Sequence, residues 1–468
     1  MEFFYYDLIF LIAFCLSVAT FLYIKRKKLQ VESKIMFLYR TKFGLNFIEK
    51  MSAKVPWLFR MLADISMATG YCLMAGGIYL LVQTVFLIYS AVNVPKIPPL
   101  MPLIPYVTNI FKIDFLPPFY FTYWIIAIAI IAISHEFMHG VFARFYKIKL
   151  KSTGFGFLGP FLAAFVELDE KKMAKKPIKN QLAILSGGSF ANFIFAILFF
   201  IILNCFFAAA FMQSGVIIPE LGFGNATIPS YYFNIVNASN LTYNNNPLNI
   251  TELRLENKTD YEFKEGNKSY YMTREILDAT LANSKLLLVY TDTPAYKSKL
   301  EGNILKINNE KIRNITDLNN TLKKYKPGEN VIVETSKNNY TINLTSDPEN
   351  LNRAVIGIGF PQEEKKGFLI EFIKTLLMRR EMTTYYAPLS QFSIFIYNLL
   401  LWIVLINISV MLVNMIPFAI FDGGRFFYLT ALAITKSKKK SVKWFNLINN
   451  FIWLILIALM VIWIFRIF

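Results

Sequence analysis

Two histidines and a glutamate lie within one apolar stretch, Ile131–Gly140. His135 and His139 are the only two histidines of the chain, and Glu136 lies between them. On a helix, residues four apart share a face, so two imidazoles at this spacing can bind one zinc ion from the same side. The glutamate of such a motif is placed to act as a general base toward a water molecule. The spacing therefore predicts a hydrolytic zinc site on a helix.

Two histidines do not complete a catalytic zinc site, which usually has three protein ligands. The chain has three cysteines, all within apolar runs and none in a C-x-x-C pair, at positions Cys15, Cys72 and Cys205. The third ligand should therefore be a carboxylate, and Asp422 in Phe421–Arg425 is the predicted one. The alternative is that Asp422 is only a turn residue, because Asp-Gly is common in turns.

Two amide side chains also lie in apolar runs, Asn192 and Asn414. An amide in hydrocarbon needs hydrogen-bond partners. Each could bond to a neighbouring helix, or could polarise a substrate carbonyl near the metal. The residues alone leave both alternatives open.

The composition is that of a membrane protein, with 55% hydrophobic residues and a mean hydropathy of +0.43. Apolar runs long enough to cross about 30 Å of hydrocarbon are found at residues 3–24, 66–93, 119–143, 181–211, 392–420 and 445–465. The net charge of +18 comes from basic residues beside these runs. This placement indicates the positive-inside bias of a membrane protein rather than a nucleic-acid partner. The lipid bilayer is the predicted surrounding.

The basic residues also predict an orientation. Residues 25–64, 144–179 and 425–443 are strongly basic, and placing all three segments in the cytoplasm gives six spans with both termini outside. The polar region 213–370 is then extracytoplasmic. The histidine motif lies in the inner third of the bilayer, where ionisable residues are costly and usually functional.

The chain divides by pattern into five parts. We expect N-terminal spans and a basic loop in residues 1–93, a catalytic membrane core in 119–211, an Asn-rich irregular segment in 213–269, a small α+β domain in 270–362 and C-terminal spans in 385–468. Within the α+β domain, strands are predicted at 286–289, around the Asn308-Asn309 turn, and in a hairpin of 331–335 with 340–344. A helix is predicted at 315–324.

These motifs together resemble a known family. His135-Glu-Phe-Met-His139 and, far downstream, Asn414-x-x-Pro-x-x-x-x-Asp422-Gly-Gly424 are similar to the two motifs of the site-2 protease family of intramembrane zinc metalloproteases. The segment Leu185–Asn192 is similar to a further family element, with Ser189 where proline is usual. The segment Tyr39–Gly44 resembles archaeal members of the family, and the composition rich in Lys, Asn and Ile would suit such a member.

The resemblance implies a role for each residue. His135, His139 and Asp422 would be the zinc ligands, Glu136 the general base, and Asn192 and Asn414 would orient the scissile peptide. The reaction would be hydrolysis of a peptide bond within a membrane-protein substrate, as in regulated intramembrane proteolysis. Strand addition near Phe165 could hold this substrate extended.

The polar region carries a second resemblance. Asp292–Glu310 is similar to part of the PDZ-like domain of many family members, with Asn303 where aspartate is usual. The expected fold is therefore an α-helical polytopic membrane protein of about six transmembrane helices with an extracytoplasmic α+β PDZ-like domain.

Two rival functions are also compatible with the sequence. One is a different multi-span zinc peptidase, which would usually take a glutamate as third ligand and has no PDZ-like insert. The other is a non-catalytic membrane adaptor that binds proteins through the polar domain. Zinc content discriminates the adaptor from both enzymes, because an adaptor need bind no metal.

Overall fold

The computed structural model describes residues 2–32, 36–90, 101, 103–111, 113, 116–158, 161–223, 226–256, 258–280, 284–348, 350–360 and 383–467. The chain forms two compact units, one of Met1–Phe207 with Ile394–Phe468, and one of Ala208–Ser393. They are called the membrane unit and the insert unit below.

The helices of the described residues are, in chain order, α1 (Glu2–Lys25), α2 (Leu45–Lys54), α3 (Pro56–Ser90), α4 (Val107–Ile110), α5 (Phe121–Phe145), α6 (Glu170–Met173), α7 (Ile178–Ala210), α8 (Ile250–Leu255), α9 (Arg274–Ala279), α10 (Pro294–Lys297), α11 (Ile315–Leu322), α12 (Gln391–Asn414), α13 (Asp422–Thr435) and α14 (Lys438–Ile467).

The strands are β1 (Leu29–Glu32), β2 (Met36–Thr41), β3 (Leu150–Leu158), β4 (Phe161–Leu168), β5 (Phe211–Val216), β6 (Glu220–Phe223), β7 (Ala226–Pro229), β8 (Phe233–Asn237), β9 (Thr242–Tyr243), β10 (Asn246–Pro247), β11 (Asp260–Glu265), β12 (Lys268–Thr273), β13 (Leu286–Thr291), β14 (Ile304–Ile307), β15 (Glu310–Lys311), β16 (Asn330–Thr335), β17 (Asn339–Asn343), β18 (Thr345–Asp347), β19 (Asn350–Val355) and β20 (Thr384–Pro388).

Among the residues that the structure describes, six helices are long and apolar enough to cross a membrane, namely α1, α3, α5, α7, α12 and α14. This confirms the six predicted spans, but two boundaries were wrong. Helix α3 begins at Pro56 rather than near residue 66, because proline fits the first turn of a helix, where its missing N–H has no intrahelical partner. Helix α12 ends at Asn414 rather than near residue 420, because Pro417 follows and proline cannot continue a helix.

The start of α5 is held by a carboxylate from another helix. Asp7 of α1 is buried and accepts hydrogen bonds from the backbone N–H groups of Phe121 and Thr122, each 2.8 Å long. The hydroxyl groups of Thr122 and Tyr106 also donate to it. The first N–H groups of a helix lack intrahelical partners and carry partial positive charge. Asp7 satisfies two of them and so fixes the start of α5 against α1.

Small residues let α3 and α7 approach closely. The Ser66 and Ser186 hydroxyls are 2.7 Å apart and form a buried hydrogen bond between the two helices. A Cβ atom at Gly70 would lie only 2.9 Å from Cβ of Ser186. Small residues of this kind are typical of packed helices in membranes, because they bring backbones into contact.

A four-stranded antiparallel sheet of order β1-β2-β3-β4 packs beside α5. Glu167 of β4 accepts hydrogen bonds from Ser152 of β3 and Arg40 of β2 and so ties three strands together. The hydrogen bond from Ser152 lowers the pKa of Glu167, and the charge of Arg40 adds to this effect against the cost of burial. On α5, a side chain at Gly140 would contact Val166 of β4 and Ile48 of α2, so the glycine lets both elements approach the helix.

The insert unit contains two larger sheets, with orders β10-β9-β11-β12-β13-β8 and β17-β16-β14-β5-β20. The prediction that residues 213–269 are irregular was wrong, because strands β5 to β11 and part of β12 lie there. The predicted boundary at 269/270 falls inside β12, which pairs with β11 on one side and β13 on the other.

The predicted elements of the α+β domain are confirmed. Helix α11, the β16–β17 hairpin and strand β13 lie where the pattern indicated them. Asn308 and Asn309 join β14 to β15, and both have positive φ, 45° and 69°. Two-residue hairpins favour this left-handed conformation, which asparagine adopts more readily than most residues. Strands β5 and β20, which follow α7 and precede α12, pair with each other from Phe211–Pro388 to Val216–Thr384.

Replacing Asp7 by alanine should destabilise the protein by about 2 kcal/mol or more, since two helix N–H groups and two hydroxyls lose a buried acceptor. Thermal unfolding in detergent micelles measures the effect. Ser17→Ala is the matched control, because the Ser17 hydroxyl bonds only to Ala13 within α1. Equal melting temperatures for the two variants would contradict a capping role of Asp7.

Candidate active site

Helix α5 places the two histidines one turn apart on one face. Both side chains are buried, and their Nε2 atoms lie 3.1 Å apart. The apolar sequence around them forms a helix without interruption from Phe121 to Phe145. The predicted helical setting of the motif is therefore confirmed.

Asp422 brings a carboxylate to the same point. Its Oδ2 atom lies 3.3 Å from Nε2 of His135 and 3.3 Å from Nε2 of His139. Asp422 does not end the fifth span, as the sequence suggested, but begins the separate helix α13 after a turn. A Cβ atom at Gly423 or Gly424 would collide with the backbone of residues 415–419. The two glycines therefore allow the tight return of the chain that positions Asp422.

The second nitrogen of each imidazole also contacts a polar group. The backbone carbonyl of Ile184 lies 2.7 Å from Nδ1 of His139. This bond requires Nδ1–H as donor and leaves the Nε2 lone pair directed toward Asp422. Histidine ligands of metals usually donate their other N–H in this way.

Asn192 of α7 contacts the other histidine. Its amide nitrogen lies 3.1 Å from Nδ1 of His135, and its oxygen is buried without a hydrogen-bond partner among the described residues. Amide nitrogen and oxygen are assigned from the hydrogen-bond network and can be exchanged by rotation. Only with the oxygen facing Nδ1 can His135 keep its proton there and offer Nε2 as a ligand.

These residues fit a metal ion. Three ligand atoms separated by 3.1–3.3 Å match a tetrahedral site, whose ligands at about 2.0–2.2 Å from zinc lie roughly 3.3–3.6 Å apart. A Cβ atom at Gly188 would lie well inside 3.0 Å of both Nε2 atoms. The glycine therefore leaves open the space beside the ligand nitrogens, on the side of α7.

Glu136 lies between the two histidines in sequence and contacts the sheet. Its Oε2 atom accepts a 2.9 Å hydrogen bond from the backbone N–H of Val166 in β4. Strand β4 is at the edge of its sheet, and its only strand partner in the described residues is β3. The predicted base is therefore held in place by the backbone of an edge strand.

Asn414 is the one predicted site residue without a visible connection to the others. It is the last residue of α12 and half-buried. Its side chain forms no hydrogen bond to any residue that the structure describes. Its predicted role in orienting the scissile peptide stays a prediction.

Three features of the site were not found from the sequence, namely the space at Gly188, the Ile184 carbonyl and the Val166 N–H. The Gly187-Gly188 pair within an apolar helix was a signal for the first, because glycine there usually marks close approach. The other two are backbone groups, and no residue type marks them in a sequence.

Comparison with known proteins agrees with this geometry. The model of peptidase family M50 matches residues 123–459, a range that contains all the residues of the site. The chain belongs to this family, the site-2 protease family of membrane metalloproteases. The six apolar helices and the sheet-rich insert unit fit a polytopic membrane protein with a PDZ-like domain.

A relative from an archaeon is similar over a short stretch. The uncharacterized protein MJ0971 of Methanocaldococcus jannaschii is 50% identical over 72 residues, which cover 15% of this chain and 19% of the relative. The match spans about a fifth of that protein, and it gives only a weak indication of archaeal origin.

Substituting Gly188 by alanine should weaken metal binding at least roughly ten-fold, because the new methyl group would lie against both ligand nitrogens. Zinc titration against a competing chelator measures this affinity. Gly76→Ala is the control, since a Cβ atom there meets only Leu412 at an ordinary 3.7 Å. Unchanged affinity in a folded Gly188→Ala variant would show that the metal does not bind between His135, His139 and Asp422.

Proposed function

We propose that this protein is a zinc endopeptidase that hydrolyses peptide bonds within or beside transmembrane segments of membrane-protein substrates. The observation that carries the proposal is the triangle formed by His135, His139 and Asp422. Two imidazoles and one carboxylate are a typical donor set of catalytic zinc, which keeps one further position open. Bound there, zinc would act as a Lewis acid toward the scissile carbonyl and would help to ionise a water molecule.

Glu136 is the general base in this proposal. It follows the first ligand directly, and its carboxylate oxygen accepts the proton of the attacking water, which it then passes to the leaving amine. The hydrogen bond from the Val166 N–H occupies Oε2 and leaves Oε1 for this transfer. The edge strand thereby limits the rotation of the base.

Asn192 has two tasks in the proposed site. With its oxygen accepting from Nδ1–H of His135, it keeps that imidazole in the tautomer that binds metal through Nε2. Its NH₂ group then has no partner among the described residues and can donate to the substrate carbonyl as negative charge develops there. Asn414 is proposed as a second orienting group on the strength of the family motif alone.

The free edge of β4 is the proposed binding place of the substrate backbone. Because the Val166 N–H points away from β3, alternation along an antiparallel strand directs the N–H and C=O groups of Ala164 and Leu162 the same way. A peptide in a transmembrane helix hides its carbonyl groups, so it must unwind before cleavage. Pairing with this edge would replace the lost hydrogen bonds and hold the peptide extended.

The Lys/Arg distribution supports a cytoplasmic location of the three basic segments and an extracytoplasmic location of both termini and of the insert unit. The active site then lies in the inner third of the bilayer. The insert unit is proposed to screen substrates by excluding those with a bulky extracytoplasmic domain. Cleavage would thus follow an earlier trimming step, as in regulated intramembrane proteolysis.

Glu136→Gln should retain zinc but reduce peptide hydrolysis by at least about a hundred-fold, because the amide keeps the shape and cannot accept the proton. Zinc content and cleavage of a membrane-embedded test substrate are measured on the same preparation. Glu310→Gln, at an exposed position of β15 in the insert unit, is the control. Substantial hydrolysis by a zinc-loaded Glu136→Gln protein would refute the assigned base.

Asp422→Ala addresses the rival functions. It should abolish both zinc retention and hydrolysis, since two imidazoles alone bind catalytic zinc poorly. An active, zinc-loaded Asp422→Ala protein would favour a zinc peptidase with a different third ligand. A wild-type protein that binds no zinc would favour the adaptor.

Removal of the insert unit tests the screening role. Val216 and Thr384 are paired across β5 and β20, so an Asn-Gly turn can replace residues 217–383 and close this ribbon. We expect the shortened protein to cleave untrimmed substrates that the full chain rejects. Cleavage of a short, pre-trimmed substrate should change little. Loss of that activity in a folded, zinc-loaded protein would show instead that the insert unit supports the catalytic helices.

A further inference from the structure

A cavity of about 640 Å³ lies in the membrane unit, at the end of α5 that follows His139. It is lined by residues from the start of α3, the end of α5, the start of α7 and one face of α2. Its volume is within the range of ligand-binding pockets, about 300–1,000 Å³. The metal ligands are not among its lining residues.

The charges in this cavity do not cancel. Four basic residues line it, and two of them are paired, Arg144 with Glu49 at 3.1 Å and Lys179 with Asp64 at 2.8 Å. Arg60 and Lys147 form no ion pair or side-chain hydrogen bond with the residues that the structure describes. The two carboxylates are thus engaged, and two positive charges remain.

The other unsatisfied groups of the cavity include further donors. The Nε atom of Arg144 is buried and has no hydrogen-bond partner among the residues that the structure describes. The Tyr146 hydroxyl and the side-chain amide of Asn180 also have no partner within the described part of the chain. A buried donor without a partner is rare, so the Arg144 Nε–H in particular points to a missing acceptor. A ligand for this cavity should therefore be an anion with several acceptor oxygens, and a phosphate group has this chemistry.

The position of the cavity identifies the source of such a phosphate. It lies where three candidate membrane spans end, at Pro56 of α3, Phe145 of α5 and Ile178 of α7. The ends of spans lie at the level of lipid headgroups in either orientation of the protein. Basic pockets between helices at this level bind anionic lipid headgroups.

We propose that this cavity binds the phosphate-bearing headgroup of an anionic phospholipid. Arg60 and Lys147 supply the two uncompensated positive charges. Arg144, Tyr146 and Asn180 donate further hydrogen bonds to the phosphate oxygens. Because the lining comes from four helices, the bound headgroup connects α2, α3 and α7 to the end of the helix that carries the histidine motif. This site is independent of the proposed proteolytic activity.

The test uses the full chain and counts phosphatidylglycerol molecules retained in native mass spectrometry against an equal amount of phosphatidylcholine. The Arg60→Gln/Lys147→Gln double variant should bind phosphatidylglycerol roughly twenty-five-fold more weakly, since each cation near an anionic surface contributes about a factor of five. Lys147→Gln alone changes an exposed side chain, so it gives a smaller loss without risk to folding.

The control is the Lys171→Gln/Lys175→Gln double variant, which removes the same charge from exposed residues outside the cavity. Equal loss in both double variants would overturn the site, because only diffuse attraction would then remain. Loss in neither would also overturn it, because Arg60 and Lys147 would then contribute nothing to lipid binding. Competition by inorganic phosphate distinguishes the sources. Weak competition at millimolar phosphate indicates a lipid headgroup, whereas displacement of the lipid at low phosphate would overturn the lipid assignment in favour of a soluble phosphate ligand.

Discussion

The structure depends on bringing three metal-binding side chains together among apolar helices. His135, His139 and Asp422 come from parts of the chain nearly 300 residues apart, yet their ligand atoms lie within 3.3 Å of one another. Without a cation, a half-buried carboxylate that faces two buried imidazoles loses part of its hydration. The surrounding elements must therefore hold the three groups against this cost. Much of the membrane unit consists of such supports.

Each support satisfies a backbone or amide group as well as fixing a side chain. The Ile184 carbonyl orients His139, and the Val166 N–H orients Glu136. Asp7 completes the start of the helix that carries both. In hydrocarbon no water replaces a lost hydrogen bond. The groups that position the site and the groups that stabilise the helices are consequently the same.

Close approach of backbones is the second requirement. Gly188 leaves space beside the ligand nitrogens. Gly423 and Gly424 let the start of α13, which carries Asp422, lie directly against the backbone of residues 415–419. Gly140 brings the edge strand and α2 onto α5. Larger residues at these points would move the ligands by more than the tolerance of a metal site. Small residues thus serve geometry here rather than flexibility.

The sequence by itself determined the features that depend on local composition. Apolar runs of sufficient length predict the six spans, H-E-x-x-H predicts two ligands on one helix face, and Asn308-Asn309 predicts a tight turn. Only the tertiary structure decided the features that depend on distant partners. The strands within 213–269 form because β11 and β12 pair with each other and with β13, and a segment rich in Asn and Tyr shows no such partner in its own pattern. The nearness of Asp422 to the histidines, the contact of Glu136 with β4 and the cap from Asp7 likewise arise from packing between distant segments, because side-chain types do not encode which backbone groups will meet.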